Sequence, residues 1–240
     1  MTTQMIVYAS SIMWLAASLQ GVTGFGFMLL AIPGLILWLP AQVVVPALIL
    51  VWIPLGTVQV LHHRKDVDWR LLAHLLVSAV VGLPLGAIIL LEADRHWMQR
   101  GIGAMMVVMA VLLLVNPGPP FRRRRLVRTV AGLISGVLAA STSAAGPPVA
   151  FLGLKQRWEM GRFRATLPAY FVAISLCCLP LHWEMNLLGR PSIEVAVSGL
   201  PGVVVGYLTG IWLKGRVGRE GFRWVVLAMV MGGGLAAVIL

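Results

Sequence analysis

The sequence contains very few acidic residues, and no charged residue of either sign precedes Arg64. Only 8 of the 240 residues are Asp or Glu, against 19 Lys or Arg, and charged residues make up 11% of the chain. Soluble domains carry about 25% charged residues, because polar groups must cover much of a folded surface in water. This scarcity excludes a soluble enzyme, a disordered chain and a nucleic-acid module, although the net charge is +11.

Other absences limit the kinds of reaction and bound group that the sequence can support. The two cysteines, Cys177 and Cys178, are adjacent inside an apolar run, so we expect packed thiols and no disulfide framework. The sequence has no HExxH, paired CxxC, Walker loop or serine elbow, so we expect no enzyme, metal or cofactor. A basic segment is also lacking at the N-terminus, which argues against a cleaved signal peptide.

Long apolar runs are what the sequence does have. If its first 63 residues formed one helix, that helix would extend about 95 Å, roughly three times the thickness of a bilayer core; this stretch must therefore fold back. The remaining uncharged runs are near the length of a membrane span. They are Val43–Leu61, Leu71–Leu91, Gly101–Val115, Thr129–Leu154, Ala165–Trp183, Val195–Leu213 and Trp224–Leu240.

Two of the runs are interrupted. The run 4–39 contains Gly21, Gly24, Gly26 and Pro33, and the run 129–154 contains Gly146-Pro147-Pro148. Each is predicted to form a helical hairpin with its break at membrane depth, and the sequence leaves open whether the hairpins cross fully or re-enter. A broken backbone persists in a membrane only where protein or a watery cavity satisfies it.

The two interrupted runs are related by an internal repeat with an offset of 120 residues. Gly26 recurs as Gly146, and Gly82 with Gly86 as Gly202 with Gly206. Leu61-His62 likewise recurs as Leu181-His182. The prediction is two transmembrane repeats, 1–115 and 129–240, joined by a basic cytoplasmic loop, 116–128. Each repeat has one hairpin and three further spans, an odd number, so the repeats have inverted topology as in many transporters.

Positive charge agrees with this topology. With the central loop in the cytoplasm, sixteen Lys or Arg residues lie on the cytoplasmic side and three outside, Arg95, Arg100 and Arg190. Basic residues concentrate in cytoplasmic loops of membrane proteins. Both chain ends are then expected on the non-cytoplasmic side of a bacterial inner membrane. The predicted fold class is an all-α polytopic membrane protein of two inverted repeats.

The breaks are also the candidate binding site. Glycine lets the backbone turn and approach a ligand closely, and helix N-termini attract anions through free N–H groups and a positive dipole end. Ser and Thr hydroxyls add donors. Ordinary kinks satisfied by neighbouring helices are the competing explanation. The candidate substrate-binding residues are Gly21, Thr23, Gly24, Gly26, Ser141, Thr142, Ser143 and Gly146.

The motif G-x-T-G-F-G at Gly21–Gly26, together with Pro33, the basic central loop and the second broken segment, resembles the sulfite exporter TauE/SafE family over nearly the whole chain. The second segment, Ser141–Pro148, has less glycine than is usual in that family. The resemblance implies a bacterial inner-membrane exporter of sulfite, sulfoacetate or related sulfur-containing anions.

The sequence therefore predicts a transporter that works by alternating access, with a small anion and the lipid bilayer as its partners and no nucleic acid. A homodimer, the exact substrate and any coupling ion are left open. No buried Asp or Glu offers an obvious proton or sodium site. The two alternatives are a membrane enzyme acting on a lipid and a non-transporting subunit of a membrane complex.

The predicted topology can be tested by thiol labelling in a background lacking Cys177 and Cys178. Cysteines replacing Arg95 and Arg190 should react with an impermeant reagent added outside intact cells, whereas cysteines replacing Arg123 and Arg216 should not, because they face the cytoplasm. Equal labelling at positions 190 and 216 would contradict the inverted repeat.

Overall fold

The computed structural model describes residues 3–24, 26–114 and 124–213. Within these ranges the ordered elements are α-helices and one short 3₁₀ turn, Arg64–Asp66, with no strand, which confirms the all-helical class. The nine helices are α1 (Thr3–Thr23), α2 (Phe27–Ile36), α3 (Ala41–His63), α4 (Trp69–Glu92), α5 (Arg95–Leu114), α6 (Arg124–Thr142), α7 (Gly146–Lys155), α8 (Met160–Glu184) and α9 (Arg190–Leu213).

Five of these helices are long and apolar enough to cross a membrane. They are α1, α3, α4, α8 and α9. By contrast, α2 and α7 have 10 residues each, about 15 Å and half of a bilayer core. The predicted last span, Trp224–Leu240, and the predicted loop 214–223 lie outside the described residues.

The described helices form two compact units. The first contains α1, α2, the first half of α3, most of α5, and α9; the second contains the second half of α3, α4, α6, α7 and α8. Each unit therefore combines helices from both halves of the sequence. The division into 1–115, 116–128 and 129–240 describes the sequence repeat and stays a prediction.

In the first unit, α1 and α2 form a hairpin. The hydroxyl of Tyr8, near the start of α1, donates a 2.5 Å hydrogen bond to the carbonyl of Gly34, near the end of α2. At the other end, the Phe27 N–H bonds the side chain of Gln20. These two contacts make the helices antiparallel, as the interrupted run predicts.

Helix α9 packs along α1 in parallel through a row of glycines. A Cβ added at Gly202, Gly206 or Gly210 would overlap the carbonyl oxygens of Ser10, Trp14 and Ser18 respectively. Both rows advance by four residues, so the two helices run in the same direction. Side-chain bonds follow the same line, with the Ser10 hydroxyl donating to the Ser198 carbonyl at 2.6 Å. Such close packing of small residues is typical of membrane helices.

The second unit has the same internal design. The α6–α7 hairpin folds back so that Ser135 of α6 bonds the carbonyl of Ala145 at 2.6 Å. Helix α4 packs parallel to α6, since Gly82 and Gly86 meet the carbonyls of Leu133 and Val137. A Cβ added at Gly132 or Gly136 of α6 would likewise overlap the carbonyls of Leu75 and Ala79 on α4. Glycines spaced four residues apart therefore pack helices together in both units.

A polar cluster joins the first turns of α4 and α8 in the second unit. Asp68 caps α4 by accepting the Leu71 N–H at 3.0 Å, a stabilising N-cap arrangement. Its other carboxylate oxygen pairs with Arg162 of α8, and its N–H bonds the Thr166 hydroxyl at 3.2 Å. The guanidinium of Arg162 also lies over the ring of Trp158.

The surfaces that the long helices leave exposed are apolar. On α4 and α9 the exposed side chains include Val77, Val81, Leu85, Val204, Val205 and Leu208. A contiguous apolar surface of this kind needs a non-aqueous environment. Trp69, Trp97 and Trp183, expected to anchor span ends, are also exposed, while Trp224 lies outside the described residues.

Three boundaries differ from the sequence-based expectation. Gly21 does not interrupt the first run but lies inside α1, and Pro33 lies inside α2. Gly21 is retained in the helix because its missing side chain lets α9 approach. Helix α6 begins at Arg124, before the expected start at Thr129, since arginine is a good helix former and no proline follows Pro120 there.

The parallel glycine contacts yield a stability prediction. Gly82→Leu or Gly202→Leu should lower the free energy of unfolding by about 3 kcal/mol or more, because the new side chain meets a backbone that cannot move aside. Gly101→Leu is the matched control, since nothing lies within 4 Å of a Cβ built there. The measurement is the yield and thermal stability of detergent-purified protein. Normal stability with lost transport would instead place these glycines on the substrate path.

Candidate functional site at the helix breaks

The first break is a short turn that depends on glycine. Gly24 has φ 82° and Gly26 has φ 121°, both in the region where a side chain is strained. The Gly24 N–H still bonds the Gln20 carbonyl at 2.7 Å, so α1 closes its last turn normally. Gly26 then serves as the N-cap of α2.

Gln20 bridges the first break from inside. Its side chain is 1% exposed. The amide nitrogen donates to the Gly24 carbonyl at 2.9 Å, and the amide oxygen accepts the Phe27 N–H at 3.0 Å. One side chain thus satisfies an acceptor on one side of the turn and a donor of the first turn of α2.

The far end of α2 is satisfied by two further side chains of the same unit. The last carbonyls of a helix have no partner within it. The Gly34 carbonyl accepts from Tyr8, and the Ile36 carbonyl accepts from the buried Gln99 amide of α5 at 2.8 Å. Helix α2 is therefore held at both ends by polar side chains.

The second break lies between Thr142 and Gly146. Ser143 has φ 53°, a left-handed conformation that is uncommon for a residue with a side chain. Its N–H bonds the Ala139 carbonyl at 3.0 Å. Pro147 and Pro148 occupy the first turn of α7, as predicted, where the N–H that proline lacks would have no helical partner.

The hydroxyls beside the second break are bonded to their own helix. Ser141 donates to the Val137 carbonyl at 2.7 Å, and Thr142 donates to the Leu138 carbonyl at 2.8 Å. The Thr142 oxygen also accepts the Ala144 N–H at 3.4 Å. Both protons are thus directed away from the break, and donation to a ligand requires rotation about χ1.

Two buried side chains from α8 hold the second break in place. The Tyr170 hydroxyl, with the residue 0% exposed, donates to Ser135 at 2.9 Å, and Ser135 in turn donates to the Ala145 carbonyl. Near the other end of α8, Nε2 of His182 lies 3.1 Å from the Ala140 carbonyl. The helix end therefore has a partner on α8, and the turn that follows it is linked to α8 through Ser135.

Six of the eight predicted site residues form or flank the two breaks, and the other two, Gly21 and Thr23, lie in α1. Gly24 and Gly26 form the first break, while Ser141, Thr142, Ser143 and Gly146 form or flank the second. Gly21 faces α9, where a Cβ would lie 2.7 Å from the Tyr207 carbonyl. Thr23 ends α1, and its side chain lies outside the described part. The two breaks belong to different units.

Sequence reasoning missed the residues that hold the breaks. Gln20, Ser135, Tyr170 and His182 were not selected, although each is a polar group within a strongly apolar stretch. Such groups need a buried partner in a membrane. For Gln20 a usable signal existed, because it immediately precedes the glycines of the break.

The breaks offer backbone donors of unequal number. The first four N–H groups of a helix lack helical partners. At α2 one of these, from Phe27, is already bonded to Gln20. At α7 two of the four positions are Pro147 and Pro148, which carry no N–H. Helix α7 therefore offers fewer free N–H groups than α2, together with the positive end of its dipole.

Titratable residues do not gather into a metal site in the part of the chain that the structure describes: no group of three or more His, Cys, Asp or Glu is placed to hold an ion. Cys177 and Cys178 are free thiols. His74, on the exposed side of α4, bonds the Thr129 hydroxyl of α6 at 3.1 Å and so links two helices.

Long apolar helices combined with short broken hairpins define a polytopic helical membrane protein. The sequence profile of the sulfite exporter TauE/SafE family matches residues 10–237, and the chain belongs to that family, which is one of transporters. No curated protein matches significantly. No solved structure does so either.

The Gln20 bridge gives a prediction about stability. Gln20→Leu should lower the free energy of unfolding by about 2–4 kcal/mol, because it leaves one buried donor and one buried acceptor without a partner. Gln4→Leu is the matched control, since Gln4 lies exposed on the same helix. Thermal unfolding in detergent measures both variants. Equal stability of the two would mean that the Gln20 bonds contribute nothing.

Proposed function

We propose that this protein exports small sulfur-containing anions, such as sulfite or sulfoacetate, across a bacterial inner membrane by alternating access. The observation that carries the proposal is the pair of helix breaks, each followed by the N-terminus of a short helix. The family is a family of exporters of this class, and both breaks have the backbone freedom that close approach of an anion requires.

The electrostatics of the breaks favour an anion over a cation. Residues 17–36 and 131–154 contain no Asp, Glu, Lys or Arg. A bound anion would therefore meet no carboxylate from these segments, while the N-termini of α2 and α7 supply partial positive charge. We propose Gly24, Gly26, Ser143 and Gly146 as the main backbone contacts. The hydroxyls of Thr23, Ser141, Thr142 and Ser143 add donors, and Gly21 is the glycine that positions the first break.

The driving force for export is already present in an energised membrane. The membrane potential acts on each transported charge with about 2.3 kcal/mol per 100 mV. Because the cytoplasm is negative, this energy moves an anion outward without a second ion.

The inverted arrangement of the repeats is part of the proposal. In each unit a broken hairpin from one half of the sequence packs in parallel with a long helix from the other half, α1 with α9 and α6 with α4. Since α4 and α6 point the same way, α5 has to return across the membrane between them. This supports the odd number of spans on which the inverted arrangement depends, while the sides of the membrane are assigned from the basic residues.

Anion flux into or out of liposomes that contain the purified protein tests the proposal. The wild-type protein should move sulfite and sulfoacetate down an imposed gradient. A lipid-acting enzyme or a non-transporting subunit would give no flux.

A double variant tests the site. Thr23→Val with Ser143→Ala should weaken the apparent affinity about ten- to a hundredfold per lost hydroxyl, since a hydrogen bond to a charged group contributes about 1.5–3 kcal/mol. Thr57→Val with Ser11→Ala is the matched control, because both hydroxyls are exposed and bond carbonyls of their own helices. A folded double variant with unchanged rate and affinity would make the breaks ordinary kinks.

Gly146→Ala adds a second test at the same site. A Cβ built at Gly146 meets only the edge of the Phe171 ring at 3.4 Å, so the variant should fold normally. It should still reduce affinity, because the added methyl group separates an anion from the backbone.

A further inference from the structure

His182 is a fully buried histidine of the second unit that faces a helix break. It lies near the end of α8 and is 0% exposed. Its Nε2 is 3.1 Å from the carbonyl oxygen of Ala140. That residue is located one turn of α6 before Ser143, where the second break begins.

The hydrogen bond fixes which ring nitrogen carries the proton in the neutral state. A carbonyl oxygen only accepts, so Nε2 must carry the hydrogen and Nδ1 must present a lone pair. That Nδ1 is buried and has no hydrogen-bond partner among the described residues. The structure thus contains a vacant proton acceptor beside the break.

Burial of the His182 ring disfavours a positive charge, whereas its hydrogen bond to the end of α6 favours one. Ala140 is among the last four residues of α6, whose carbonyls lack helical partners. The Ala144 N–H that would bond it in a longer helix bonds Thr142 instead. His182 therefore caps the negative end of the α6 dipole, where a histidinium is stabilised.

Few other charges act on this ring. Helix α8 packs against α4, α6, α7 and the turn Arg64–Asp66, and its Phe171 ring contacts Trp52 of α3. The ionisable residues of α3 are His62 and His63 in its last turn, next to the turn Arg64–Asp66. On α6, ionisable residues occur only at its cytoplasmic start, Arg124, Arg125 and Arg128; on α7 there is only Lys155 at its far end. The turn and the first residues of α4, including His74, belong to that same remote end, and Glu92 at the other end of α4 is exposed. On α8 itself Cys178 is one turn away and buried, and Glu184 is exposed.

We propose that Nδ1 of His182 binds a proton when an anion binds at the second break, so that the histidinium provides the counter-charge for the anion. The step is a protonation: the Nδ1 lone pair takes H⁺ from hydronium in the surrounding water, so that one N–H bond forms, one O–H bond breaks and a water molecule is left. This rests on the proposed function and adds a regulation to it. Anion affinity should rise as pH falls, by at most about tenfold per pH unit, because one proton is taken up.

The direct test is proton uptake on ligand binding. Purified wild-type protein in weakly buffered detergent is mixed with sulfoacetate near neutral pH, and a pH indicator reports the proton balance. Sulfoacetate is the probe because its acidic groups stay ionised at this pH, whereas sulfite itself titrates there. The expected result is uptake of up to one proton per bound anion. Binding without proton uptake would overturn the proposal.

A variant assigns the proton to its residue. His182→Gln keeps an amide that can donate to the Ala140 carbonyl but cannot titrate, so it should fold, bind sulfoacetate more weakly at low pH and lose both the proton uptake and the pH dependence of affinity. His74→Gln, at the exposed histidine of α4, is the matched control and should retain both. If His182 only caps α6, His182→Gln will behave as the wild type does. Absence of sulfoacetate binding and flux at every pH would instead refute the proposed function.

Discussion

Every feature of this chain depends on the need to satisfy backbone polar groups where helices end inside an apolar environment. An N–H or a carbonyl without a partner in the hydrocarbon region costs several kcal/mol. Helices α2 and α7 are short, so both of their ends present such groups. Gln20, Tyr8 and Gln99 answer this need at α2, and Ser135 does so at α7.

The same requirement limits how far the breaks can move, which suits the binding site proposed there. A loop that bonded only to water would change shape with hydration. Here each turn is hydrogen-bonded to a buried side chain, and packing sets the position of that side chain. At the second break, Tyr170 donates to Ser135, which in turn donates to the Ala145 carbonyl. The strained backbone at Ser143 persists in such a setting because the surroundings over-determine it. The backbone groups that remain face a ligand with little freedom left to lose.

The sequence predicted the helical class, the positions of most of the long apolar helices that the structure describes, and the presence of two breaks, because apolar runs and glycine–proline clusters are local signals. It placed Gly21 and Pro33 at interruptions, although both lie inside helices. Whether a glycine such as Gly21 breaks a helix or lets another helix approach depends on a partner far away in the chain. It also overlooked Gln20 and His182, whose importance arises from groups they meet only after folding. The packing glycines were found because their four-residue spacing is itself a local pattern.

The parallel pairing of α1 with α9 also bears on how the protein is made. Ser10 and its partner Ser198 are 188 residues apart, and at typical rates of synthesis, about 5–20 residues per second, α1 waits roughly 10–40 s for α9. Throughout that interval the carbonyls of Ser10, Trp14 and Ser18, which later contact the α9 glycines, stay exposed to lipid or to other membrane helices. The first unit therefore closes only after α9 has been synthesised, so its assembly depends on a contact that forms late.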